Sequence, residues 1–137
     1  MATVYEFIAA TATGAAGYFI TTFVMQPIIH YKKVRLETAS DLIVYANAIA
    51  AGPGEQNSAQ QKRVEERMAV QRKRSAELLA AAVCLPWIYR QILRVSGENP
   101  ADASSELLGL SNTIEHQAAA QRTQKIQNLL KLPRIAA

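Results

Sequence analysis

Cysteine and histidine are nearly absent, with Cys84, His30 and His116 the whole supply in 137 residues. A lone cysteine excludes a disulfide within the chain and cannot by itself make a cysteine-based zinc site, which needs several ligands converging at bonding distance. It fits a reducing compartment, and because Cys84 lies in an apolar run, a buried and inert thiol is expected there. Neither histidine has a second ligand at metal-binding spacing, and Glu115 and His116, as neighbours, project in different directions from a helix. Glycine is also scarce and wrongly placed for a phosphate loop: Gly14 and Gly17 lie in an apolar stretch, and Gly52-Pro53-Gly54 is not followed by Lys-Ser or Lys-Thr. No Ser, Thr or Cys stands in a nucleophile elbow with a base close by. The expectation is therefore a protein that is not an enzyme, with no metal, no cofactor and no small-molecule substrate. A catalytic chemistry assembled from distant residues has no support in the sequence.

The most informative absence is that of charge between Phe7 and Ile29, where no ionisable carboxylate or base interrupts the run. A hydrocarbon core is roughly 30 Å thick and a helix rises about 1.5 Å per residue, so about 20 apolar residues suffice to cross it. Lys32, Lys33 and Arg35 follow at once, which favours the cytoplasmic face for the rest of the chain and puts Met1 to Glu6 outside. A cleaved signal peptide wants basic residues before its apolar part, whereas Glu6 precedes this one. The segment is expected to be an uncleaved anchor. Its Thr11, Thr13, Thr21, Thr22 and Gln26 make it less apolar than a leucine-rich span, and a buried core helix of a soluble protein is the alternative. Ala9, Thr13, Gly17 and Thr21 recur every four residues, with Ala10 and Gly14 widening the same face, a pattern that lets a second helix approach closely.

Beyond the anchor, three interruptions divide the sequence. Gly52-Pro53-Gly54 predicts a tight turn. Before it, Ala39, Leu42, Ile43, Ala46, Ile49 and Ala50 recur at helical spacing, so the anchor is expected to run on as one rod, with Pro27 as a bend. After it, Val64, Met68, Gln71, Ser75, Leu78, Ala82 and Leu85 form a seam expected to pack as an antiparallel hairpin against the 39–50 face. Leu85-Pro86 either kinks or divides that helix. Ser96-Gly97-Glu98-Asn99-Pro100 is a stop followed by a start: Asn99 can cap, Pro100 suits the first helical position and Asp102 suits the dipole. Leu107, Leu108, Leu110 and Ile114 give the following helix an apolar face, Gln117 to Asn128 reads as its solvated extension, and Leu129, Leu130 and Leu132 form a terminal apolar knob.

The formal charge of +4 is local, because Lys62 to Arg94 hold eight basic and three acidic side chains, whereas Glu98 onward balances four against four. Lys32, Lys33, Arg35, Arg72, Lys73 and Arg74 are the candidates for contact with an anionic surface. Glu65, Glu66 and Glu77 dilute the field, and a solvated helix face is the plainer reading of the basic run. Nucleic-acid binding would need a denser one-sided stripe with stacking residues. Trp87, Tyr89, Arg90 and Arg94, with Leu129, Leu130 and Leu132, have the composition of a protein-contact surface and equally of a core corner.

Leu107-Leu108-Gly109-Leu110-Ser111-Asn112 and Asp41-Leu42-Ile43-Val44-Tyr45-Ala46-Asn47 are similar to segments of small bacterial single-pass inner-membrane proteins with a helical cytoplasmic domain. The resemblance implies a bacterial inner-membrane setting and carries no activity with it. Gly109 within a helix costs about 1 kcal/mol relative to Ala, which suggests close packing by a neighbour. The expected architecture is all-α: a transmembrane anchor over 1–30 continuing into a cytoplasmic helical hairpin or bundle over 31–137. The expected function is a membrane-tethered, non-catalytic interaction module whose partners are the bilayer and either itself or other membrane protein subunits. The alternative is a soluble basic helical protein that binds nucleic acid, with residues 7–29 as its core helix.

Overall fold

The computed structural model describes residues 2–46 and 58–132, and all regular structure in them is helical. The turn expected at 52–54, the end of the 39–50 face and Pro133 lie outside the described residues. Helix α1 (Ala2–Ile20) passes through a π turn at Thr21–Met25 into α2 (Gln26–Val44). Together they form one continuous rod, helical over 42 residues from Thr3 to Val44. The disturbance expected at Pro27 takes the form of that π turn. Pro27 has no N–H to offer and its ring crowds the carbonyl of the preceding turn. The Gln26 N–H reaches back to the Thr21 carbonyl, widening the ladder just where the proline needs room.

Helix α3 (Ser58–Val83) returns antiparallel along α2. Tyr45 Oη donates to Glu66 Oε1 at 3.2 Å, and one helical stretch further on Arg74 Nε donates to Asp41 Oδ2 at 2.6 Å. Arg74 Nη1 also bonds Glu37 and Glu77, so a single guanidinium ties three carboxylates across the two helices. On α2 the buried stripe is Tyr31, Val34, Thr38 and Leu42, spaced by three and four as one helix face requires. On α3 it is Arg67, Gln71, Ser75, Leu78, Ala81 and Ala82. The two helices pair as expected, but through an earlier face than 39–50: of that face Leu42 is buried and Ala39 half-buried while Ile43 and Ala46 are exposed, and on α3 Arg67 is buried where Met68 was expected, with Met68 only half-buried.

Pro86 divides rather than kinks: α3 stops at Val83, and α4 (Trp87–Ser96) starts after Pro86 with the axis turned through 116°. Gly97, at φ +72°, closes α4 with its N–H on the Arg94 carbonyl and the Glu98 N–H on the Leu93 carbonyl. Helix α5 (Pro100–Ser111) begins as its sequence says, the Asn99 Oδ1 accepting from the Asp102 N–H at 3.2 Å. It does not run on to Asn128. Hydroxyls of Ser111 and Thr113 take the Leu108 and Gly109 carbonyls, the chain opens at 112–115, and α6 (His116–Leu129) folds back on α5. Ala119, Ile126 and Gln127 are buried, so this stretch is part of the core and not a solvated extension, while Ile114 is exposed. Ser75 and Ser104 exchange hydroxyl-to-carbonyl bonds at 2.8 and 2.9 Å, letting α3 and α5 approach closely.

Candidate functional site

The rod's first half is bare. In its most apolar window no residue is buried, and Phe7, Ile8, Tyr18, Phe19, Ile20 and Phe23 are all exposed. Among the described residues the buried core runs from Tyr31 to Leu132, with Ile28 packed against it, so residues 7–29 do not form its central helix there. The rod is long and apolar enough to cross a membrane. Three of its hydroxyls are satisfied internally: Thr11, Thr13 and Thr21 donate to the carbonyls of Phe7, Ala9 and Gly17 at 2.8, 2.8 and 2.9 Å. That removes the cost of hydroxyls in an apolar medium. On the small-residue face of Ala9, Ala10, Thr13, Gly14, Gly17 and Thr21 none of the described residues packs, and a Cβ built on Gly14 or Gly17 meets none of their atoms within 4 Å.

Most of the basic candidates have partners within the fold. Arg35 lies 3.3 Å from Glu98 and donates to the carbonyls of Leu130 and Lys131 at 2.8 and 3.0 Å. Arg74 holds its three carboxylates, Arg72 donates to Asn112 Oδ1 at 3.0 Å, and Lys73 and Lys33 lie near Glu77 and Glu37. Of the proposed anionic-surface residues, Arg35 and Arg74 are half-buried among their partners, whereas Lys32 and Lys33 at the base of α2 and Arg72 and Lys73 on α3 are exposed.

Where the rod leaves its bare half, several segments meet. Tyr31, 1% exposed, donates its hydroxyl to Glu98 just beyond α4 and stacks edge-on against Tyr89, ring centroids 6.3 Å apart. Burial first, and then the hydrogen bond and charge of Glu98, push the Tyr31 phenol far above its usual range. Burial and Glu98 raise Tyr89 as well. Leu130 and Leu132 are buried here, and Leu129 packs against the core. The terminal knob thus docks onto its own fold, and Leu130 and Leu132 offer no surface to a partner. The signal for this was the stripe headed by Tyr31, which needed something apolar to cover it. Trp87, Arg90 and Arg94 remain on the surface, Trp87 at 66% exposure. Cys84 is exposed, contrary to expectation, because the buried seam of Leu78, Ala81, Ala82 and Leu85 passes it by: Cys84 falls off that face, beside the exposed Val83.

Arg90 and Arg94 line a cleft of about 680 Å³ together with Leu79, Val83, Asn99 and Leu129. Elsewhere, Arg67 is 1% exposed, its Nη2 donating to the Thr113 carbonyl at 2.9 Å while Nε and Nη1 have no partner among the described residues. Burial lowers its pKa. Glu106 is held below the usual carboxylate range by Lys125, and more weakly by Arg122, against the opposing effect of its own desolvation. Among the described residues no group of three or more His, Cys, Asp or Glu side chains converges on a common point. No family model, curated protein or solved structure matches the chain.

Proposed function

We propose that the chain is a membrane-tethered, non-catalytic helical module, anchored by residues 7–29 in a bacterial inner membrane with its N-terminus outside and α2 to α6 in the cytoplasm. It joins itself, or other membrane protein subunits, through the small-residue face of α1. The observation that carries this reading is the contrast along one helix: α2 contributes to a core, while the more apolar α1 is covered by none of the described residues. Apolar surface on that scale is unfavourable in water, at about 25 cal/mol per Å², and costs nothing in hydrocarbon. The internally bonded threonines fit the same medium.

Washing membranes with alkaline carbonate tests the anchor. Retention in the pellet, with a C-terminal tag cut by protease only in inverted vesicles, is the expected result; release into the supernatant removes the reading. Association is tested in a Cys84→Ser background. Gly17→Cys is expected to form oxidative dimers in the membrane, and Ala15→Cys, on the opposite side of α1, is not. Equal crosslinking from both positions would show that the face has no specificity. Gly17→Leu, filling the space where a Cβ meets nothing, is expected to lower the dimer fraction in mild detergent several-fold.

A further inference from the structure

We propose that α4 is an interfacial helix lying on the anionic headgroup layer of the leaflet through which the rod emerges. The inference rests on residues 7–29 spanning the membrane. The height of α4 along the rod is fixed by Tyr31, which touches Tyr89 near one end of α4 and Glu98 just past the other. Tyr31 stands two residues beyond Ile29, a rise of about 3 Å, so α4 crosses the rod at the level where hydrocarbon gives way to headgroups. Its direction suits that level. Helix α3 comes down the rod toward the membrane, and the 116° turn at Pro86 sends α4 across instead of onward.

The faces of α4 are sorted accordingly. Leu93 is buried and Tyr89 half-buried on the side facing α2. Arg90 and Arg94 line the cleft beneath the last turns of α3. On the side away from that cleft, Ile88, Ile92 and Val95 fall within an arc of about 60°. All three are exposed, Val95 at 90%, and with α3 above them they face along the rod toward α1. Trp87 flanks them, and tryptophan favours the interface because its ring is apolar and its N–H wants a wet partner. The charge around α4 completes the match. Lys32, Lys33, Arg90 and Arg94 are exposed, and Lys131 lies over Gly97 at the end of α4, while of the nearby carboxylates Glu98 is engaged by Arg35 and Tyr31 and Glu37, 3.9 Å from Lys33, is held by Arg74. An amphipathic helix with apolar residues on one face and cations on the other is the composition that binds anionic lipid surfaces.

Trp87 is the sole tryptophan, so its fluorescence reports on α4 without labels. The full chain is reconstituted into phosphatidylcholine vesicles with and without phosphatidylglycerol, floated on a density gradient, and quenched with lipids brominated near the glycerol end or near the tail end of the acyl chain. Shallow bromines are expected to quench Trp87 at least twofold more than deep ones, and more strongly in the anionic vesicles. Ile88→Asp with Val95→Asp is expected to abolish the shallow quenching while leaving the helical circular dichroism and the flotation unchanged, since both side chains are exposed and neither belongs to the core. If the protein floats but Trp87 is reached by aqueous acrylamide and by neither bromine, the interfacial helix is wrong and the anchor stands. Shielding from both reagents would mean a second protein copy covers α4, and stronger deep quenching would mean a re-entrant segment; each overturns the proposal. A chain that fails to float overturns the anchor itself.

Discussion

Gly109 sits under the Arg122 guanidinium: a Cβ there would lie 2.8 Å from Cζ, closer than real contacts allow. The glycine therefore exchanges helix propensity for an ion pair, since Arg122 Nη1 reaches Glu106 Oε2 at 2.8 Å only by crossing that gap. Ala at 109 gains about 1 kcal/mol of propensity. It displaces the end of a flexible side chain from a partly exposed pair worth about 0.2–1 kcal/mol. Gly109→Ala alone is expected to change unfolding free energy by less than about 1 kcal/mol, with Lys125 still holding Glu106. In an Arg122→Ala background the same substitution should stabilise by about 1 kcal/mol. Denaturant titration of the four proteins in the cycle measures the difference; equal effects in both backgrounds would mean the contact has no energetic weight.

At the scale of elements, the ends of helices carry the remaining leverage. Lys131 closes α6 at φ +50°, its N–H on the Asn128 carbonyl and the Leu132 N–H on the Gln127 carbonyl, a conformation that normally takes glycine. Lys131→Gly is expected to raise stability by about 1 kcal/mol, less whatever the Lys131 stem contributes by packing beside Gly97. A lowered thermal midpoint would show that this packing outweighs the backbone strain. Gly97, by contrast, was legible from its place before Asn99-Pro100, as were the α5 cap, the close neighbour of Gly109 and the pairing of α2 with α3. Each of these is set by local backbone chemistry or by the period of one helix. The break between α5 and α6 escaped because serine and threonine hydroxyls end that helix without a proline or glycine to mark the spot. Burial of Arg67 and Leu130, the exposure of Cys84 and the spending of Arg35 and Arg74 escaped for a different reason. They depend on which segments meet in three dimensions, and a hydropathy pattern cannot tell a lysine-rich solvated face from one whose cations are bonded to a neighbouring helix. Of the candidate site, an apolar, membrane-length α1 was readable from the charge-free run of residues 7–29, and the position of α4 beside the rod was not.

Across the whole molecule, Tyr31 joins the rod to the loop after α4, and that loop joins α6, because the Asn99 N–H donates to the Leu129 carbonyl at 2.8 Å. Its titration should therefore be felt in global unfolding. In the folded chain the phenol keeps its proton far above the ordinary value of 10.0, whereas the unfolded chain releases it near that value. Above about pH 10 the folded state thus binds one proton more than the unfolded state, and stability falls as pH rises; below that pH both states are protonated and this group adds no slope. One proton corresponds to about 1.4 kcal/mol per pH unit. Burial also raises Tyr45 and Tyr89, so the alkaline loss is shared and will not vanish with any one of them. Tyr31→Phe keeps the buried ring and deletes only the hydroxyl. It is expected to lower stability at neutral pH by about 1–2 kcal/mol through the lost bond to Glu98. It should also make the decline above pH 10 shallower by about one proton. Chemical denaturation in mild detergent at a series of alkaline pH values, run side by side on both proteins, gives the two slopes. Parallel slopes would show that Tyr31 ionises in the folded chain as freely as in the unfolded one, and that the junction between rod and bundle is open to solvent.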